Sequence, residues 1–133
     1  MQVSSLNPLR LNKAEKNCWQ GLPAAAVGGK KTILDGFGLA LAGSDSTAGP
    51  RIREYIESLG PCGGASSIIG TKLKVHPRFA ALANGVSIHA DDFDDTGSAL
   101  HVAAPTLPPS FALCESGRRS GKAGFPDVQR LPA

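Results

Sequence analysis

The sequence predicts a mainly α-helical fold, and three observations predict it. Apolar residues return at spacings of three and four along several stretches, the mark of a helix with one buried face. Proline and glycine stand at the start and stop positions of those stretches. No alternating run is long enough to specify a sheet, and Gly36-Phe37-Gly38 lacks the spacing and the preceding strand of a dinucleotide-binding loop. A chain of 133 residues has room for one domain with a modest core.

The first helix is expected from Ala24 to Ala42, entered by Leu22-Pro23 and stopped by Gly43, with Val27, Leu34, Phe37 and Leu41 as its apolar stripe. Gly36 and Gly38 lie inside it. Each costs about 1 kcal/mol against alanine, so they require another backbone or helix packed closely there. After the turn-rich Ser44–Gly49, Pro50 opens a second helix, marked by Ile52, Tyr55, Ile56 and Leu59 and ended by Gly60. Pro61-Cys62-Gly63-Gly64 is a breaker, and the extended pieces Ser67–Ile69 and Lys72–Val75 are too short to argue for a sheet. The best-patterned helix opens at Pro77, with Phe79, Leu82, Ala83, Val86 and Ala90 as its stripe. Ala80, Ala81 and Gly85 suit it to burial on more than one side. Pro105, Pro108 and Pro109 punctuate the entry to a last helix, Ser110 to Ser116, stopped by Gly117.

Composition excludes several function classes. With 19% charged residues, 41% hydrophobic ones and a net charge of +3, the chain is neither an acidic disordered segment nor a basic nucleic-acid arm. One tryptophan and one tyrosine provide no row of stacking platforms, so no nucleic-acid partner is expected. No stretch approaches the ~18 apolar residues of a membrane span, and a cytoplasmic location is expected. Cys18, Cys62 and Cys114 are odd in number and far apart. They read as reduced thiols, not as a disulfide framework or a zinc site.

One local feature stands outside composition. Asp91-Asp92-Phe93-Asp94-Asp95 puts four carboxylates within five residues, with His89 before them and Thr96 and His101 after. Three readings stand side by side. The first is a solvated acidic loop at a helix end. The second is a divalent-cation loop with Asp92, Asp94 and Thr96 as its first ligands and Gly97 at position six, but Ala103 stands where a bidentate glutamate belongs. No metal is assigned on that spacing. The third is the polar wall of an active site: Asp92 and Thr96 share a face if the preceding helix persists, and the stretch Gly97–Leu100 folds His101 back toward them. A histidine beside a carboxylate is held in one tautomer and can carry a proton near neutral pH.

The same residues resemble the signature of the MmgE/PrpD family. Ala80-Ala81-Leu82-Ala83-Asn84-Gly85, followed by His89 and Asp92-Phe93-Asp94-Asp95-Thr96, carries most of the likeness. Ile33–Gly43, Ile68-Ile69-Gly70, His101–Ala112 and Ser120-Gly121 add to it in order, so that it covers about residues 22–122. That family contains 2-methylcitrate dehydratases, cis-aconitate decarboxylases and related enzymes of small polycarboxylates.

The resemblance implies a large helical domain, a smaller α/β lid later in the chain, a homodimer, and chemistry without organic cofactor or iron–sulfur cluster. It implies further that Asp92 and Thr96 line the substrate-carboxylate pocket and that His101 acts near the reacting carbon. Family enzymes are several times longer, and their catalytic lysine, second histidine and tyrosine lie beyond the matched region. The chain is therefore expected to be an incomplete N-terminal part of the helical domain, residues 22–122, with the lid absent. Residues 1–21 are expected to be a divergent, disordered leader and residues 123–133 a divergent, disordered tail. The expected function is that of a lyase fragment inactive alone; the alternative is a non-catalytic helical interaction or assembly module.

Overall fold

The computed structural model describes residues 24–97 and 100–118, with the backbone alone at 24–27, 96, 97 and 100. The expected leader and tail lie outside the described residues. In chain order the elements are α1 (Ala24–Gly43), α2 (Ala48–Ser58), β1 (Gly63–Ser67), β2 (Lys74–Val75), α3 (Pro77–Ile88), β3 (Thr96–Gly97), β4 (Leu100–His101) and α4 (Ala103–Ser116). The fold is mainly α.

Small side chains decide how the helices meet. α3 is the hub, touching α1, α2, α4 and both strands of the first hairpin, as its alanine and glycine content predicts. Ala80, Ala83, Asn84, Ser87 and Ile88 are its buried residues. Leu82 of the expected stripe is instead well exposed. α1 shows the same shift of phase: Gly36, Ala40 and Gly43 are buried with Ile33 and Phe37 half-buried beside them, whereas Leu34 and Leu41 face outward. Both helices carry apolar residues around much of their circumference, so periodicity alone does not select the inner face. Close approach of backbones selects it, and glycine and alanine permit that approach. Gly36 sits against Leu107, as the packing argument requires, but Gly38 faces open space.

Two apolar clusters result. One joins Ile56, Ile68, Val75, Ala80, Ala83 and Ala112. The other centres on Ala40, Ile88 and Leu107, and Phe37 meets Phe111 edge-to-face with ring centroids 5.0 Å apart.

The structure adds sheet where the pattern predicts none. β1 pairs antiparallel with β2, Ser67 opposite Lys74 and Ser66 opposite Val75. The sequence Gly63-Gly64-Ala65-Ser66-Ser67 has no β-branched residue; tertiary hydrogen bonds hold it. The Ser66 hydroxyl donates to the Ala112 carbonyl at 2.6 Å. Fully buried Asn84 accepts from the Ile69 N–H at 2.9 Å and donates to the Ser67 carbonyl at 3.0 Å, tying α3 to the hairpin.

α4 starts seven residues before the expected Ser110 and takes three prolines into its length. Pro105 lies in the first turn, where no N–H has an intrahelical partner to lose. Pro108 and Pro109 remove the donors for the carbonyls of Ala104 and Pro105. Asp95 Oδ1 accepts from the Ala103 N–H at 2.8 Å, a cap that Val102 has no side chain to supply.

Glu115 at the other end of α4 gives a first prediction. Burial, the largest single influence, pushes its carboxyl up, but the Ser67 N–H, the Ser67 hydroxyl and the Lys74 ammonium together outweigh that and hold it below the ordinary range. A depressed folded-state pKa stabilises the fold above the unfolded value and is lost as pH falls through the folded one. Glu115→Gln is expected to cost about 1–2 kcal/mol at neutral pH. The gap to the parent chain should close as pH drops below about 4.3, read as converging urea midpoints. A gap constant down to acid pH would remove the ionised carboxylate from the explanation.

Candidate active site

α3 ends at Ile88, and His89 is its C-cap. Asp92 then takes a left-handed backbone, φ 58°, a conformation aspartate tolerates better than most residues. The helix does not persist through the acidic run, so the shared helical face expected for Asp92 and Thr96 does not form. Thr96 is instead placed by the hairpin, its backbone paired with His101; its side chain lies outside the described residues. The same hairpin returns His101 to the end of α3, as the active-site reading expects.

The four carboxylates separate into different roles. Asp91 is exposed. Asp95 caps α4. Asp92 is exposed over 76% of its side chain, with Oδ1 3.5 Å from His101 Nε2. Asp94 turns inward and is wholly shielded: its Oδ1 lies 2.8 Å from His89 Nδ1 and 3.1 Å from His101 Nδ1. The His101 Nδ1 is also 3.1 Å from the Asp94 backbone oxygen. Mutual repulsion among the carboxylates is thus offset by two imidazoles and a helix N-terminus. Oδ1 of Asp94 is thus engaged by both His89 and His101.

An ionised carboxylate only accepts hydrogen bonds, so Asp94 fixes both imidazoles with hydrogen on Nδ1. In a neutral ring the lone pair is then on Nε2. The rings stand 4.9 Å apart, centroid to centroid, and inclined at 67°. His89 is held above its ordinary pKa, first by the hydrogen bond to Asp94 and then by that carboxylate's charge; partial burial opposes and Asp92 adds a smaller push upward.

Both imidazoles line a cleft of about 550 Å³ between α3 and α4. Its other walls are apolar, including Leu82, Gly85 and Val86 on one side and Ala104, Pro105 and Pro109 on the other. Asp92 stands outside that lining and reaches the site only through His101. The fold brings His89, Asp92 and His101 together, and the residue that organises them is Asp94. Sequence reasoning gives Asp94 a place in the cation-loop reading but none in the active-site wall. The one available signal is its place directly after Phe93, and Phe93 turns out to be exposed.

Fold and site define a helical domain in which a small-residue hub helix delivers a histidine–aspartate cluster to an interhelical cleft. Residues 16–125 match the MmgE/PrpD N-terminal domain, and the chain belongs to the MmgE/PrpD family. It is 35% identical to the human (Homo sapiens) cis-aconitate decarboxylase over 95 residues, 70% of this chain and 20% of that one. It is 32% identical to the mouse (Mus musculus) cis-aconitate decarboxylase over 89 residues, 65% of this chain and 18% of that one. The cis-aconitate decarboxylase-like protein oryM of Aspergillus oryzae is 36% identical over 88 residues, again 65% and 18%. The chain spans about a fifth of the length of these curated relatives. No solved structure matches it. Among the described residues, no helix is long and apolar enough to cross a membrane.

Proposed function

We propose that the chain is the acid–base part of a lyase of small di- or tricarboxylates, with His101 moving a proton at carbon. The observation that carries this reading is the His101 ring itself. Its Nδ1 is anchored on buried Asp94, its Nε2 is beside Asp92, and it lines a cleft. Loss of water from a hydroxy-acid needs a base to take a proton from carbon; loss of CO2 needs an acid to return one. An imidazole with one fixed tautomer serves either direction, and Asp92 steadies the imidazolium formed. By family resemblance, Asp92 and Thr96 line the pocket that takes a substrate carboxylate. No lysine or arginine lines the cleft among the described residues, so the charges that hold a polycarboxylate are assigned to the portion of the family enzymes beyond the matched region. Dehydration and decarboxylation, the homodimer and a cytoplasmic site of action all follow the family and belong to this proposal.

The isolated chain is expected to show little turnover of cis-aconitate or 2-methylcitrate, because half of the site is elsewhere. Residues 22–122, placed in the corresponding segment of a cis-aconitate decarboxylase, are expected to support CO2 release. Unaided activity that disappears on His101→Ala would overturn the fragment reading. A folded chimera with no activity would overturn the lyase reading.

A second reading has its own observation. Leu34 and Leu41 on α1 and Leu113 on α4 are all more than half exposed, as on a helical module that associates through apolar faces. Sedimentation of the purified chain as a compact monomer counts against it.

A further inference from the structure

We propose that His89 is a substrate-binding residue, whose Nε2–H takes a carboxylate of the molecule on which His101 moves a proton. This role rests on the lyase reading and falls to a ring which that reading leaves unused. His89 lines the cleft beside His101, and its Nδ1 is bound to Asp94 Oδ1 at 2.8 Å. That bond occupies one edge of the ring, so Nε2 is the nitrogen left for a ligand. Half of the side chain is open to solvent, and no protein group among the described residues is hydrogen-bonded to Nε2.

The two rings are not equivalent toward an anion. His101 Nε2 has the Asp92 carboxylate 3.5 Å away, so a second negative group meets repulsion there. His89 has its carboxylate on the opposite edge, at Nδ1. The same contact favours the protonated ring, and His89 is held above its ordinary pKa. An imidazolium carries hydrogen on both nitrogens, so Nε2 becomes a charged donor. The neutral ring, with its hydrogen on Nδ1, turns a lone pair outward and repels a carboxylate.

The titratable groups facing His89 are Asp94 and Asp92 from the segment after α3 and His101 from β4. The α4 wall contributes Ala104, Pro105 and Pro109, none of which ionises. The rings stand 4.9 Å apart, so a carboxylate bound to His89 at about 2.8 Å leaves the adjoining carbons of a short polycarboxylate next to His101. His89 thereby supplies one positive donor inside the cleft, and the remaining charges stay with the portion beyond the matched region.

The test titrates citrate into the purified chain and follows the histidine ring resonances by NMR across neutral pH, with sodium chloride at matched ionic strength as the control. The His89 signal is expected to move saturably and to titrate at higher pH with citrate, because a ligand that prefers the protonated ring raises its pKa. His76, at the exposed start of α3, should respond no more than it does to chloride. In the chimera, His89→Gln is expected to raise KM at least about tenfold with kcat largely kept, the worth of a hydrogen bond to a charged group. A His89 signal that citrate moves no further than chloride overturns the proposal, as does an unchanged KM in a folded His89→Gln variant. An inactive chimera overturns the lyase reading alone; the citrate titration, which needs neither turnover nor a variant, then decides carboxylate binding at His89 by itself.

Discussion

His101→Ala in the active chimera is expected to lower kcat by about 10²–10⁴-fold, the usual worth of a positioned general acid–base, with KM little changed. The reason lies in where the ring is held. Asp94 and the backbone of its own segment bind Nδ1, so Nε2 is the nitrogen left to carry a proton, and truncation removes that role entirely. A group that works on the proton in the transition state affects kcat, whereas one that grips the ground state affects KM. His89→Ala is the comparison, since that ring lines the same cleft and shares Asp94. A smaller loss at His89 than at His101 assigns the proton to His101; an unchanged kcat in a folded His101→Ala variant removes it from the chemistry.

Gly43→Ala is expected to destabilise the chain by about 3 kcal/mol or more, at the upper end of overpacking effects. A methyl group on Gly43 would run into the Ser87 carbonyl and stand 3.1 Å from the Ala90 Cβ. The obstacle is backbone, so no rotamer change relieves it. Relief requires α1 and α3 to separate where the buried Ser87 and Ile88 precede His89. Much of the core is alanine, which leaves little apolar area to absorb the loss. Gly38→Ala has the opposite sign. Nothing lies within 4 Å of its added Cβ, so the substitution should stabilise α1 by about 0.5–1 kcal/mol. Urea midpoints of both variants decide the matter, and equal shifts would mean that the α1–α3 contact is not as close as described.

The helices were legible because their ends are local. Gly43, Gly60, Pro77 and Gly117 mark boundaries by backbone preference alone, and the structure ends or begins helices at or beside each of them. The inner faces were less legible. Leu34, Leu41 and Leu82 carry more hydrophobic area than Ala40, Ala80 and Ala83, yet the alanines are the ones at or near zero exposure. Strand β1 left no pattern because serine hydroxyls and Asn84 hold it in place of branched side chains. At the site, the residue types were visible, and the pairing was not: Asp92 and Asp94 differ by two positions, but one is exposed and the other is sealed between two imidazoles.

What this amino-acid string determined by itself was a set of helices, most of their ends, its family likeness and an aspartate–histidine run with the right functional groups for proton transfer. Tertiary structure alone decided which carboxylate turns inward, which imidazole nitrogen is left free, and which side of α1 meets α3. Local preferences act over one turn of chain and specify where a helix stops. Burial and hydrogen-bond pairing are joint properties of segments distant in sequence, such as α3, the β3–β4 hairpin and α4, and acquire values only when those segments touch.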